Sequence, residues 1–221
     1  MCMKIEKKNM ELIDLKNLLN YSERIKEKDV TFQKLMFFYK MAIKELETKI
    51  EIFKEEFKIF YDYDLIDHIN TRIKSPKSIV QKMKKKEYKL TYGNMIENIN
   101  DIAGVRIICP LQKDIYSIKN LLQSIPGIET LKEKDYITKP KTSGYSAYHI
   151  ILAVPVMLSS QMIYVKVEVQ IRTMAMDFWS SLEHKMKYKP KEEPSKKKAK
   201  EWISCAKAIN RLDEKMMLLN E

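Results

Sequence analysis

Apolar residues recur at steps of three and four from Phe32 through Leu35, Tyr39, Ala42, Ile43, Leu46, Ile50, Phe53 and Phe57 to Phe60, and no proline or glycine interrupts the chain before Pro76. That spacing keeps one face of an α-helix apolar and predicts a long amphipathic helix, with Asp29 or Thr31 as its cap. A shorter stripe of Leu12, Leu15, Leu18 and Leu19 predicts a helix ahead of it. Ser75-Pro76 is a helix start, Ser as N-cap and Pro at the first helical position, leading into Ile79, Val80 and Met83 on one face with Lys82, Lys84, Lys85 and Lys86 elsewhere. Arg72-Ile73-Lys74 reads as a basic turn before it, and Tyr92-Gly93-Asn94 as punctuation after it.

The run from Ile102 to Cys109 predicts a strand stopped by Pro110, followed by an Asp114-capped helix with Ile115, Ile118, Leu121, Leu122 and Ile125 that ends at Pro126-Gly127. A loop from Lys139 to Tyr145 leads to a strand from His149 to Val154, broken at Pro155. The clearest alternation in the chain comes next. Ile163, Val165, Val167, Val169 and Ile171 share one face of a strand, so Tyr164, Lys166, Glu168, Gln170 and Arg172 share the other. A helix with Phe178, Trp179, Leu182 and Met186, a polar linker from Lys189 to Glu193 and a Pro194-initiated helix with Trp202, Ala206 and Leu212 complete the pattern. Helices at both ends of a central sheet of modest size predict an α+β domain whose terminal helices are free to make oligomer contacts.

Composition narrows the partners. With 41 Lys and Arg against 30 Asp and Glu, the formal charge of +11 calls for something anionic: a nucleotide, RNA, DNA or a membrane surface. The four glycines are scattered, which excludes both the G-x-G-x-x-G dinucleotide fingerprint and the phosphate loop G-x-x-x-x-G-K-[ST], so any nucleotide is held largely by side chains. Three cysteines and three histidines offer neither zinc-ligand spacing nor a disulfide framework. A charged N-terminus and the lack of any stretch near the ~20 apolar residues that span a bilayer make a cytoplasmic protein, with no membrane partner, the expectation.

On the polar face of the alternating strand, Glu168 stands among Lys, Gln and Arg, which suits either a solvated sheet face or the floor of a phosphate-binding cleft. In the second case Glu168 holds Mg²⁺ or accepts a hydroxyl proton, and Asp101, just before the strand containing Gly104, is the second carboxylate of a metal site. Arg72, Lys74, Ser78 and Lys82 are spaced to share a basic face, and Gly144-Tyr145 at the tip of a basic loop offers an aromatic ring for stacking on a base.

The order of these pieces is more specific than any one of them. Arg72-Ile73-Lys74-Ser75 with Ser78 and Lys82, Asp101-Ile102-Ala103-Gly104-Val105-Arg106, Lys134-Asp135-Tyr136-Ile137, Pro140 to Tyr145 with His149, Glu168 to Thr173, and Met176-Asp177-Phe178-Trp179 with Leu182-Glu183-His184 resemble, in sequence and in order, the synthetase domain of the RelA/SpoT alarmone enzymes. The likeness runs from about residue 30 to the end and is greatest to the small, single-domain bacterial synthetases. It implies a nucleotidyltransferase-like fold with a central mixed sheet, divided into N-terminal helices (1–60), a catalytic core (61–188) and a linker with a C-terminal helix (189–221). The hydrolase domain of larger members, with its His-Asp metal motif, has no counterpart here.

The resemblance also implies a reaction, transfer of pyrophosphate from ATP to the 3′-hydroxyl of a guanosine nucleotide with release of AMP. By that likeness Asp101 and Glu168 hold Mg²⁺, and Glu168 takes the hydroxyl proton. Arg72 and Arg106 clasp adenine, and Lys74, Ser78 and Lys82 contact phosphates. Tyr145 stacks on guanine in a cleft lined by Lys141, His149, Gln170 and Arg172. A homotetramer is the usual assembly. Two departures carry expectations of their own. Gly144-Tyr145-Ser146-Ala147 replaces the usual Gly-Tyr-Arg-Ser, which predicts that GMP or GDP competes with GTP as acceptor. His68-Ile69-Asn70-Thr71-Arg72 lacks the Phe-x-Thr-Gly that precedes the Arg in product-stimulated relatives, which predicts no such stimulation. A toxin-like transfer to tRNA, with RNA as partner, and a non-catalytic nucleotide- or RNA-binding regulator are the alternatives.

Overall fold

The long apolar stripe folds as helix α1 (Lys28–Tyr61) in the computed structural model, which describes residues 28–188 and 196–219. The helix is already formed at Lys28, so Asp29 and Thr31 lie inside it and do not cap it; the predicted helix at Leu12 to Leu19, the linker and Pro194 fall outside the described residues. Leu35, Tyr39, Leu46 and Ile50 are fully buried, each aliphatic side chain among them contributing about 1.5–3 kcal/mol of transfer free energy. The stripe loses its cover at the end, where Phe60 is exposed.

Ten further elements follow: β1 (His68–Ile73), α2 (Pro76–Lys85), α3 (Tyr92–Asn98), β2 (Ala103–Cys109), α4 (Gln112–Ser124), β3 (Glu129–Asp135), β4 (Tyr148–Met157), β5 (Met162–Thr173), α5 (Met174–Tyr188) and α6 (Lys196–Leu218). The five strands form one sheet in the order β1-β2-β5-β4-β3. Only β2 and β5 run parallel, and the other pairs are antiparallel, so the sheet is mixed. The apolar residues of β5, Ile163 to Ile171, join those of α1 and of α4 (Ile115, Ile118, Leu122) in a single core on one side of the sheet. The other side of β5 is polar and half-buried, as its alternation predicts.

Several local expectations are corrected. Arg72-Ile73 belongs to an edge strand, β1, and not to a turn; Ile69 and Ile73 pack against the core while its polar residues remain exposed, so it carries no period-two signal. Tyr92-Gly93-Asn94 opens helix α3, with Thr91 accepting the Asn94 N–H as its cap. Asp114 does not occupy the N-cap of α4. Leu111 does, and Asp114, three residues on, accepts the Leu111 N–H with its carboxylate. Finally, β4 continues through Pro155 because its pairing with β3 ends at Ala153, which leaves the missing N–H on an unpaired edge. Among the described residues no helix is long and apolar enough to cross a membrane.

Candidate active site

Strand register decides which polar side chains meet. Asn70 of β1 pairs with Arg106 of β2, Arg106 with Gln170 of β5, Gln170 with His149 of β4, and His149 with Lys134 of β3. Directly paired residues project to the same side of a sheet, so one polar row crosses all five strands. In the neighbouring row Arg72 pairs with Gly104 and Gly104 with Glu168. Gly104 leaves room between them: a Cβ there would lie 3.4 Å from Cγ and Nε of Arg72. Asn70, Arg72, Gly104, Arg106, Glu168 and Gln170 line a groove of about 310 Å³ on this face.

Beyond Arg72 the Ser75 cap turns the chain from β1 into α2, its Oγ accepting the Ser78 N–H. Lys74 and Lys82 are thereby aimed at the same carboxylate, Lys74 Nζ lying 3.0 Å from Asp101 Oδ2 and Lys82 Nζ 2.9 Å from Oδ1. Burial alone pushes the Asp101 carboxyl up, but the two lysines outweigh it and hold the group below the usual carboxylate range. Oδ1 is buried and meets Lys82 as an ion pair, without an aligned hydrogen bond, so it keeps a lone pair for another partner. Ser78 bonds elsewhere, its Oγ receiving the Ser75 hydroxyl at 2.8 Å.

Glu168, in the middle of β5, is held by Gln170, whose Nε2 donates to Oε2 at 2.9 Å, and faces His149 Nδ1 at 3.7 Å from Oε1. Burial raises its carboxyl, yet His149 and then Gln170 overcome burial and keep it below the usual range. Asp101 is close enough to push the other way by like charge.

Next to Glu168 and Gln170 lies an aromatic and cationic cluster. Tyr145, only 8% exposed, accepts a hydrogen bond from Arg172 at 2.7 Å. Its own proton then points to His149 Nε2, 2.6 Å away, which assigns the remaining ring hydrogen of a neutral His149 to Nδ1, the atom facing Glu168. Burial raises the Tyr145 phenol, against the lowering effect of Arg172. Lys141 Nζ sits 4.5 Å from the centroid of the Tyr145 ring and 4.6 Å from that of Tyr136. The loop carrying Lys141 and Tyr145 turns at Gly144, where φ is +84°, and a Cβ there would lie 2.3 Å from that of Ala206 on α6.

The acceptor-side and donor-side residues expected from the sequence thus form two clusters joined by Glu168 and Gln170, with Ser78 one turn before Lys82 on α2. Four residues that the sequence left unassigned belong there too. Asn70 lines the groove. Asp177 of α5 receives Arg106 NH1 at 3.1 Å and Arg172 NH1 at 3.0 Å on a single oxygen. Asp213 of α6 accepts the Thr173 hydroxyl at 2.7 Å, immediately beyond Arg172, and Tyr136 packs edge-on against Tyr145 and His149. Asp213 and Ala206 act through long-range packing, for which neither spacing nor periodicity gives a sign.

Known proteins resemble this chain in sequence and in fold. Residues 71–193 match the model of the region found in RelA/SpoT proteins. The GTP pyrophosphokinase YwaC of Bacillus subtilis (strain 168) is 43% identical over 182 residues, spanning 82% of this chain and 87% of its own. The GTP pyrophosphokinase YjbM of the same strain is 32% identical over 188 residues, spanning 85% and 88%. The crystal structure of small alarmone synthetase 1 from Bacillus subtilis bound to its product pppGpp superposes with a TM-score of 0.78 at 32% identity, covering 86% of this chain and 96% of that one. Over most of its length, and through the strands and helices that build the groove, the chain belongs to the RelA/SpoT family.

Proposed function

We propose that the protein is a (p)ppGpp synthetase, transferring pyrophosphate from ATP to the 3′-hydroxyl of GDP or GTP, with GMP as a further acceptor. The observation that carries this reading is an ionised Glu168 in a groove lined by Arg72, Arg106 and Gln170, with the pair Lys74 and Lys82 on Asp101 nearby and the cluster of Tyr145 and His149 beside it through His149. Electrostatics at a phosphoryl-transfer site do most of the catalytic work, and this site supplies cations for a polyphosphate and a ring for a base. The name of the relative YwaC and the product bound to the synthetase 1 structure point the same way.

In this reading the acceptor 3′-oxygen attacks the β-phosphorus of ATP, the bond from that phosphorus to the oxygen bridging it to the α-phosphorus breaks, and AMP leaves. Glu168 accepts the hydroxyl proton, for which its low pKa keeps it ionised at neutral pH. Arg72 and Arg106 stack on adenine, as planar guanidinium groups do. Lys74 and Lys82 turn from Asp101 to the phosphates, and Ser78 joins them at the start of α2. On the acceptor side Lys141 withdraws from the Tyr145 ring as guanine stacks there, and His149, Gln170 and Arg172 line the cleft.

Asp101 and Glu168 fit Mg²⁺: both are oxygen donors kept ionised, and Asp101 Oδ1 retains an unused lone pair. Two carboxylates suffice because Mg²⁺ keeps several waters and takes substrate phosphates as ligands. When bound, the ion neutralises charge on the transferred phosphates.

Assembly into a homotetramer fits the exposed apolar residues of the long helices α1 and α6. The outer side of α1 exposes Ile52, Ile59 and Phe60 beside Glu47, Glu51, Glu55 and Glu56. Helix α6 exposes Leu212 and Met216 beside Lys207, Arg211 and Lys215, an apolar stripe with the complementary charge. The reagents of the reaction are those of the cytoplasm.

Incubation of the protein with Mg²⁺ and ATP labelled on its β-phosphate, with GMP, GDP, GTP or tRNA in separate reactions, tests the reading. Label on a guanosine nucleotide supports it and names the acceptor. Label on tRNA alone moves the protein to the toxin-like class, and no transfer leaves a binding regulator.

A further inference from the structure

Asp177 stands outside the groove, in the first turn of α5, yet it is where Arg106 and Arg172 meet. Its Oδ1 receives Arg106 NH1 from β2 at 3.1 Å and Arg172 NH1 from β5 at 3.0 Å. Arg172 is almost wholly buried and spends its other terminal nitrogen on Tyr145 (2.7 Å) and on Gln170 Oε1 (2.8 Å), and Gln170 in turn holds Glu168. Arg106 is surrounded by like charge, with Arg172 on one side and Arg72 on the other. Two guanidinium groups brought this near each other repel, and in a half-buried site the repulsion is weakly screened. A carboxylate between them removes the repulsion, and the fixed fork of each guanidinium turns one shared oxygen into a constraint on both orientations.

We propose that Asp177 is a positioning residue for both substrates, holding Arg106 for the donor and Arg172 for the acceptor through one carboxylate oxygen. The proposal rests on the donor and acceptor assignment given above. A purely structural role is the rival account, since an Asp in the first turn also favours the helix dipole of α5. The two accounts differ in what substitution does. Loss of a helix-terminal charge lowers the melting temperature and leaves the Michaelis constants alone. Loss of a shared anchor loosens Arg106 and Arg172 together and weakens both nucleotides at once.

The test measures KM for ATP and for the guanosine acceptor, and kcat, in the wild type, in Asp177→Asn and in Asp177→Glu, with thermal unfolding of each. In Asp177→Asn both KM values are expected to rise about 5- to 10-fold while kcat changes by less than about 3-fold. Asp177→Glu keeps the charge but moves the oxygen by one methylene, and smaller rises in both KM values are expected; should Asp177→Asn fail to fold, this variant alone decides. A rise in only one KM, or a lower melting temperature with both KM values unchanged, overturns the proposal. Titration calorimetry with a non-hydrolysable ATP analogue and with GDP, on the same proteins, separates this outcome from failure of the synthetase reading. Absence of transfer by the wild type refutes that reading, whereas equal binding of both ligands to wild type and Asp177→Asn refutes the role of Asp177.

Discussion

Gly144 and Ala206 are in contact across 62 residues of sequence, so close that a Cβ on Gly144 would lie 2.3 Å from the Cβ of Ala206. Ala206 is buried, and the φ of +84° at Gly144 is one that side chains disfavour. The C-terminal helix α6 therefore touches the turn that presents Lys141 and Tyr145. Two further contacts fix α6: Trp202 against Trp179 at 4.4 Å between ring centroids, and Asp213 with Thr173.

Replacing Gly144 by Ala imposes both the backbone cost, about 1–2 kcal/mol, and the overlap with Ala206. The expected result is a lower melting temperature and a KM for the guanosine acceptor raised about 10-fold, with KM for ATP unchanged within about 2-fold. Adding Ala206→Gly relieves the overlap and not the φ, so partial recovery is expected in a double-mutant cycle. An equal rise in both KM values contradicts a role confined to the acceptor loop.

Asp213 links stability to pH. Burial raises its carboxyl above the ordinary Asp value, and the Thr173 hydrogen bond only partly opposes this. A carboxyl with a raised folded pKa stabilises the fold below its unfolded value and loses that contribution as pH rises through the folded one. Relative to the wild type, Asp213→Asn should therefore gain stability as pH climbs from the ordinary Asp range toward neutrality. Denaturant unfolding at a series of pH values reads this, and a constant difference contradicts it.

If Glu168 accepts the hydroxyl proton as proposed, His149 should influence the acid limb of the pH profile. Burial raises Glu168, and His149 is the main influence that lowers it again. In His149→Ala burial prevails, so the acid limb of the kcat/KM profile moves to higher pH. A limb that stays in place, or moves to lower pH, means that Glu168 is not the group being titrated.

How far the sequence reaches depends on how each signal is generated. Strand β5 is legible because one of its faces is in the core and the other in the groove, and α1 because its stripe from Leu35 to Ile50 is buried against the sheet. The edge strands are not. From Glu129 to Lys134 every residue of β3 is exposed, and in β1 only Ile69 and Ile73 are half-buried, too few positions to impose alternation. The candidate site shows the same division. Glu168, Asp101, the basic residues and Asp177 all lie in runs whose order is distinctive, but the two arginine partners of Asp177 appear only when α5 is set against β2 and β5.

The proposed role of Glu168 in transfer of pyrophosphate to a guanosine nucleotide is decided by comparing the wild type with Glu168→Gln. With Mg²⁺, β-labelled ATP and GTP or GDP, the wild type should release AMP in equal amount to the labelled 3′-pyrophosphorylated nucleotide. Glu168→Gln should bind both nucleotides within a few-fold of the wild type and form product at least about 10²-fold more slowly. Product formed at a comparable rate by the variant, or AMP released by the wild type without a labelled guanosine nucleotide, would contradict the account.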